Sequence, residues 1–219
     1  DSVNETPAED LAIREEAMPE VDASKSAPAD RAEAGPFDVS EVPAMRPYVD
    51  LGGIKIAPRE GLQMRLEVDE RAKRVVAVSL EIAGSLLQVQ AFAAPKSSGM
   101  WNQIRVDLTS QLEQQGAQIS EDEGPLGPEL VTHSQVPADQ GGGVRVARFI
   151  GVDGPRWILR GVVMGEAAVS ESARAAIIDV FREIVVVRGD SPMAPGDLLP
   201  LKVPAGVQAA APGTAAPSA

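Results

Sequence analysis

Between Leu62 and Ala94 two stretches place apolar residues on every second position, and a period of two commits a segment to half-buried β-strand. Leu62, Met64, Leu66 and Val68 alternate with Gln63, Arg65 and Glu67, and Leu87, Val89, Ala91 and Ala93 share one face of the second stretch. Arg74–Ile82 reads as a strand between them, with a polar turn at 69–73 before it and a tight turn at Ala83-Gly84-Ser85 after it. Ile54–Ala57 starts a short strand upstream. Strands joined by such short turns pair antiparallel, so the region forms a meander of three or four strands.

The period then changes. From Met100 to Gln115, Trp101, Ile104, Leu108 and Leu112 stand three or four residues apart, with Arg105, Asp107, Glu113 and Gln114 outside the stripe. That spacing predicts an amphipathic helix with Gly116 at its C-terminal end. Ala117–Ile119 reads as a short strand leading into an acidic turn at Ser120–Gly127. Glu129–Pro137, Val144–Ile150 and Arg156–Met164 read as further strands, the last two joined by a turn at Gly151–Pro155. Ser170 is placed to cap a second helix with Ala173, Ile177, Phe181 and Ile184 on its buried stripe. Ile184–Val187 either extends that helix or forms a last strand. The order predicts an α+β fold: a two-layer sandwich, mainly antiparallel sheet with two helices packed on one face.

Composition sets the limits of the fold. Apolar residues make up 44% of the 219, which supports a core, but aromatics only 3%, so the core is aliphatic. Residues 1–46 are rich in Ala, Pro, Glu, Asp and Ser without sustained periodicity, and residues 205–219 are an Ala/Pro/Gly segment. Both are expected to be disordered, leaving a domain at 47–204, although Phe37–Val42 has apolar residues that could dock on the domain edge. Residues 1–47 carry twelve acids against four bases, a net −8 of the chain's −12. Most of the acidity therefore belongs to the N-terminal segment.

These numbers exclude several classes of function. No apolar run reaches the roughly 18 residues of a transmembrane helix. Without cysteine there is no disulfide, thiolate metal site or cysteine nucleophile, and a reducing, cytoplasmic location is expected. The chain begins at Asp1 rather than Met, which leaves a preceding targeting segment open. His133, the one histidine, stands in Val131-Thr132-His133-Ser134 with no nucleophile motif near it and reads as an ordinary strand residue. Glu121-Asp122-Glu123 lacks calcium-loop spacing and reads as a solvated turn. Gly141–Gly143 and Gly151–Gly154 open no helix and are followed by no Lys-Ser/Thr, so they read as hairpin turns rather than phosphate loops. No catalytic residue, metal ligand or cofactor site is assigned.

The strongest functional signal is basic. Arg145 and Arg148 on one strand and Arg156 and Arg160 on the next surround Trp157, and up to three of these arginines are expected on one sheet face. Arginine beside an aromatic ring suits an anionic partner or a stacked base. The alternative is an exposed face whose arginines pair with nearby acids. Trp101, heading the first helix, reads as a core anchor, with a ligand-facing role as the alternative.

The segments YVDLGGIKIAP (48–58), QAFAAPKSSGMWNQIRVDL (90–108), GPLGPEL (124–130), GPRWILRGVV (154–163) and VVVRGDSPMAPGDLLPLKVP (185–204) resemble an uncharacterised actinobacterial family known only as a domain of unknown function. The resemblance implies a cytoplasmic protein with a variable acidic N-terminal segment and brings no activity, cofactor or catalytic residue. The order of elements is more loosely similar to small secretion-chaperone-like α+β folds, a likeness of fold alone. The leading functional expectation is a non-enzymatic protein–protein interaction module. The alternative is a binder of a small anionic ligand or nucleic acid through Arg148, Arg156, Trp157 and Arg160, the acid-rich N-terminal segment opposing nucleic acid. An enzyme built on carboxylates and arginines stays open.

Overall fold

The computed structural model describes residues 20–204. The alternating stretches form β4 (Gln63–Asp69), β5 (Arg74–Ile82) and β6 (Ser85–Ala93) as antiparallel neighbours. β5 and β6 meet in a two-residue turn with positive φ at both Ala83 and Gly84, whose twist matches that of the strands. β7 (Gln118–Gly124), β8 (Gly127–Gln135), β9 (Val144–Gly154) and β10 (Trp157–Gly165) complete a seven-stranded sheet in the order β4-β5-β6-β10-β9-β8-β7, antiparallel at every step. The α+β class and the large antiparallel sheet are as expected.

Two turns fall elsewhere than expected. The acidic triplet Glu121-Asp122-Glu123 lies within strand β7, and the turn follows at Pro125–Leu126. β9 runs on through Gly151 to Gly154 and turns only at Pro155–Arg156, with Arg156 at φ +62°. The glycines serve clearance, because a Cβ at Gly151 would overlap the Trp101 ring and one at Gly154 the ring of Trp157.

The first helix, α2 (Trp101–Gln114), follows α1 (Arg31–Ala34), a single turn near the N-terminus. α3 (Glu166–Val169) and α4 (Glu171–Arg182) follow β10, and Ser170 Oγ caps α4 by accepting from Ala173 N. The two long helices lie on opposite faces of the sheet, not on one. Ile158 packs with Trp101, Leu108 and Leu130 under α2, while its neighbour Leu159 packs in the larger core with Ile177 and Phe181 of α4. Successive residues of a strand point to opposite faces. A helical stripe fixes which side of the helix is buried but not which side of the sheet receives it. The face under α2 is here called the front and the face under α4 the back.

A small sheet, β1-β11-β3-β2, contributes to the back core through Leu51, Ile54, Ile56 and Val186. Its strands are β1 (Phe37–Asp38), β2 (Val49–Asp50), β3 (Ile54–Ile56) and β11 (Val185–Val186), so the segment after α4 ends as a strand. β1 pairs parallel with β11, and Phe37 N donates to Ile184 O at 2.9 Å. The docking of Phe37–Val42 thus agrees with the sequence reading.

The ordered part begins well before residue 47. Two hydrogen bonds join Ser26 and Asp153: Asp153 N donates to Ser26 O, and Ser26 N donates to the side-chain Oδ2 of Asp153, both at 2.9 Å. Gly99 N donates to Ala23 O at 2.8 Å, and Lys25 Nζ to Gly154 O at 3.1 Å. This strap is held by main-chain polar groups rather than apolar side chains, so hydrophobic periodicity carries no trace of it. The expected disorder at 1–19 and 205–219 lies outside the described residues.

Asp153, 1% exposed, is the knot. α2 has no capping side chain of its own; Asp153 Oδ1 instead accepts from Met100 N at 2.8 Å and Trp101 N at 3.3 Å. One carboxylate thus ties β9, the start of α2 and the N-terminal strap. Asp153→Ala leaves these buried donors without acceptors and is expected to cost about 2–4 kcal/mol in urea unfolding, with loss of amide protection at Ser26 and Met100 in hydrogen exchange.

Candidate functional site

The five residues singled out in the sequence do not gather. Trp157 and Trp101 are both fully buried, on opposite faces. Trp157 Nε1 donates to Asp38 Oδ1 at 2.9 Å, with the Arg31 guanidinium 5.5 Å above its ring; Trp101 Nε1 donates to Pro128 O at 2.8 Å. Both rings anchor packing and present no surface to a ligand. Arg156 is exposed in the β9–β10 turn. Arg148 lies on the back face and Arg160 on the front, because Arg148 pairs across to Val163 while Arg160 is three residues away on the same strand.

Arg160 is the one candidate left with unmet chemistry. It stands on the central strand between Gln90 of β6 and Gly151 of β9. Its guanidinium sits 5.7 Å from the centroid of Phe149, and its buried Nε has no hydrogen-bond partner. Among the described residues it makes no ion pair. Burial pulls the guanidinium below its ordinary pKa, yet it stays a cation at neutral pH. A cation–π contact offsets only part of such desolvation.

The front face beside it is polar. α2 packs over β7, β8 and β9, leaving β4–β6 to a row in which Arg65, Ser79 and Gln88 stand directly opposite one another. Glu67 accepts from Ser79 Oγ at 2.7 Å and from Gln88 Nε2, and Gln90 Nε2 donates to Val76 O at 3.2 Å. The acid nearest the row is therefore already engaged. Arg65 and Arg160 make no ion pair among the described residues, and of the two only Arg160 has a buried nitrogen without a partner.

On the back face Arg148 belongs to a charged cluster that sequence reasoning missed. Arg148 Nη1 donates to Glu129 Oε1 at 2.5 Å and to Asp122 Oδ2 at 3.2 Å, and its Nε to Ala168 O at 3.1 Å. Arg174 of α4 donates from Nε to Ala167 O and from Nη2 to Ala168 O. Glu129 is 3% exposed, and its burial raises the carboxyl pKa above the ordinary glutamate value despite Arg148. The one available signal in the sequence was parity: Glu129 and Val131 share the back face of β8, so an acid there has to be buried. His133 is exposed, and among the described residues no three His, Cys, Asp or Glu side chains group closely enough to hold a metal ion. No helix among them is long and apolar enough to cross a membrane.

A family model described as "Protein of unknown function (DUF3710)" matches residues 35–210. The match takes in β1 and every later element. No curated protein matches the chain, and no solved structure does.

The Glu129 carboxyl gives a pH signature. A carboxyl raised on folding binds its proton more tightly in the folded state, so its stabilising contribution is complete below the unfolded pKa, about 4.3, and is lost as pH rises through the folded one. Arg148 on β9, Asp122 on β7 and Arg174 on α4 are the charges that act on it and are common to both proteins in the comparison. Glu129→Gln, which still accepts from Arg148, is expected to gain melting temperature relative to the parent as pH rises from 4, then to level off. Calorimetry across that range reads the difference.

Proposed function

We propose that this chain, which belongs to the DUF3710 family of proteins of unknown function, is a non-catalytic protein-binding module that docks an acidic segment of its partner on Arg160 and the polar row beside it. One observation carries this reading: Arg160 holds a buried Nε without an acceptor, on the central strand, with no carboxylate to neutralise it among the described residues. Such a group costs free energy in the isolated domain and returns it when a partner supplies the acceptor. The row Arg65–Ser79–Gln88 runs across three strands, and its length suits an extended chain better than a compact anion. A chain without cysteine fits a reducing compartment, and we place the protein in the cytoplasm.

Arg160→Met separates binding from stability, since it keeps the stem and removes the unpaired charge. Its urea midpoint is expected to equal or exceed the parent's. A photo-crosslinking residue at Gln88 is expected to capture one protein from cell extract, identified by mass spectrometry, and Arg160→Met to abolish that adduct. An adduct unchanged by Arg160→Met, or one formed equally by a probe in the Gly61 turn, refutes the reading. Adducts absent while nucleotides or inorganic phosphate raise the melting temperature would reassign Arg160 to a small anion.

A further inference from the structure

On the opposite face, between α4 and the β7–β8 hairpin, lies a cleft of about 430 Å³ with Glu129 among its lining residues. We infer that this cleft binds an alkylammonium group, with Glu129 taking the charge and the first turns of α4 taking the aliphatic stem.

Three features converge on that ligand. First, Glu129 is half satisfied. Oε1 accepts from Arg148, whereas Oε2 makes no hydrogen bond, although the residue is 97% buried. Gly124 leaves that oxygen its space, because a Cβ there would stand 2.5 Å from Oε2. Oε2 thus opens to the cleft with lone pairs that no protein donor among the described residues takes.

Second, the neighbouring cations are spent elsewhere. Arg148 divides Nη1 between Glu129 and Asp122 and sends Nε to Ala168 O, and Arg174 gives Nε and Nη2 to the carbonyls of Ala167 and Ala168. Both guanidiniums are anchored to α3, and neither bonds Oε2. Counting Asp122, Glu123, Glu129 and Glu171 against Arg148 and Arg174, the site holds four carboxylates and two cations, a net charge of −2. A net-negative, partly desolvated cleft favours a monocation or dication over an anion.

Third, the walls beside the carboxylate are apolar. Ala175 and Ile178 lie on α4, and Pro125 faces them from the hairpin turn. A methylene chain fits this strip while its ammonium reaches Oε2, the pairing of apolar stem and charged head that a lysine side chain shows at any surface. A guanidinium is a poorer match: its planar fork prefers two carboxylate oxygens, and Oε1 is already taken.

Two sources supply this chemistry, a free aliphatic amine or a lysine of another protein. The test is an amide-shift titration of the isotope-labelled full chain with n-butylammonium, cadaverine and Nα-acetyl-lysine methylamide, each as its chloride, against sodium chloride at equal ionic strength. Saturable shifts at Gly124, Glu129 and Ala175 are expected, and Glu129→Gln is expected to weaken them about tenfold or more. Ala175→Phe fills the strip without touching the ion pairs and is expected to block binding, which keeps the test decisive if the Glu129 variant rearranges the cluster. Tighter binding of cadaverine assigns a free amine, and tighter binding of the lysine amide assigns a partner's side chain. Shifts no larger than those from sodium chloride, or shifts that survive both substitutions, overturn the inference.

Discussion

The architecture depends on a central strand, β10, that belongs to both cores: its back face is buried through Val163 and its front face at Ile158. β10 has β6 on one edge and β9 on the other, its back face lies under the core that α4 closes, and its front face meets α2 at Ile158, with Arg160, Val162 and Met164 only partly covered. Trp157, Leu159 and Val163 meet the back core, and Ile158 the front one. Helix-to-sheet distance is set where side chains are smallest. A Cβ at Gly161 would lie 2.9 Å from Leu87 and 3.2 Å from Phe181, and Gly151 gives the Trp101 ring its seat on the other face. Arg160 interrupts the apolar residues of β10 and faces Gln90 and the polar row of β4–β6.

Much of the fold was legible because it rests on periodicity. The alternation of Leu87, Val89, Ala91 and Ala93 reappears as the alternating burial of β6, and the Ser170 cap and Ile177–Phe181 stripe mark α4 almost to the residue. What was not legible follows from degeneracies in the code. Gly151 and Gly154 read as a turn because glycine serves both turning and close approach, and only the positions of Trp101 and Trp157 decide between them. Glu121–Glu123 reads as a turn because exposed edge strands and turns share polar composition. The strap at 22–30 left no signal, since Ser26 is held through its backbone.

The candidate site was legible only in its ingredients. Arg148 and Arg160 stand out in the sequence as parts of one basic group, but their opposite orientations separate them into two electrostatic environments. On the back, Arg148 and Arg174 knit α3 to the acidic hairpin and leave one oxygen of Glu129 unanswered. On the front, Arg160 has an unanswered nitrogen. The sheet thus separates an unmet donor from an unmet acceptor that would cancel if they met, and its backbone rigidity keeps them apart. Asp153, whose carboxylate ties three segments, leaves no mark in the sequence because an acid beside glycine and proline is ordinary turn composition.

Asp153 also imposes an order on the birth of the molecule. The strap at Ser26 and the first turn of α2 leave the ribosome well before residue 153, yet both wait for its carboxylate to reach their amides. The pairings of β4, β5 and β6 are local in sequence, each joined by a short turn. The strap, which precedes Asp153 by more than a hundred residues, becomes fixed only after β9 has been translated. The N-terminal strap is therefore a late seal on the nascent chain: while it hangs loose, the hairpin that carries Asp153 is still to come.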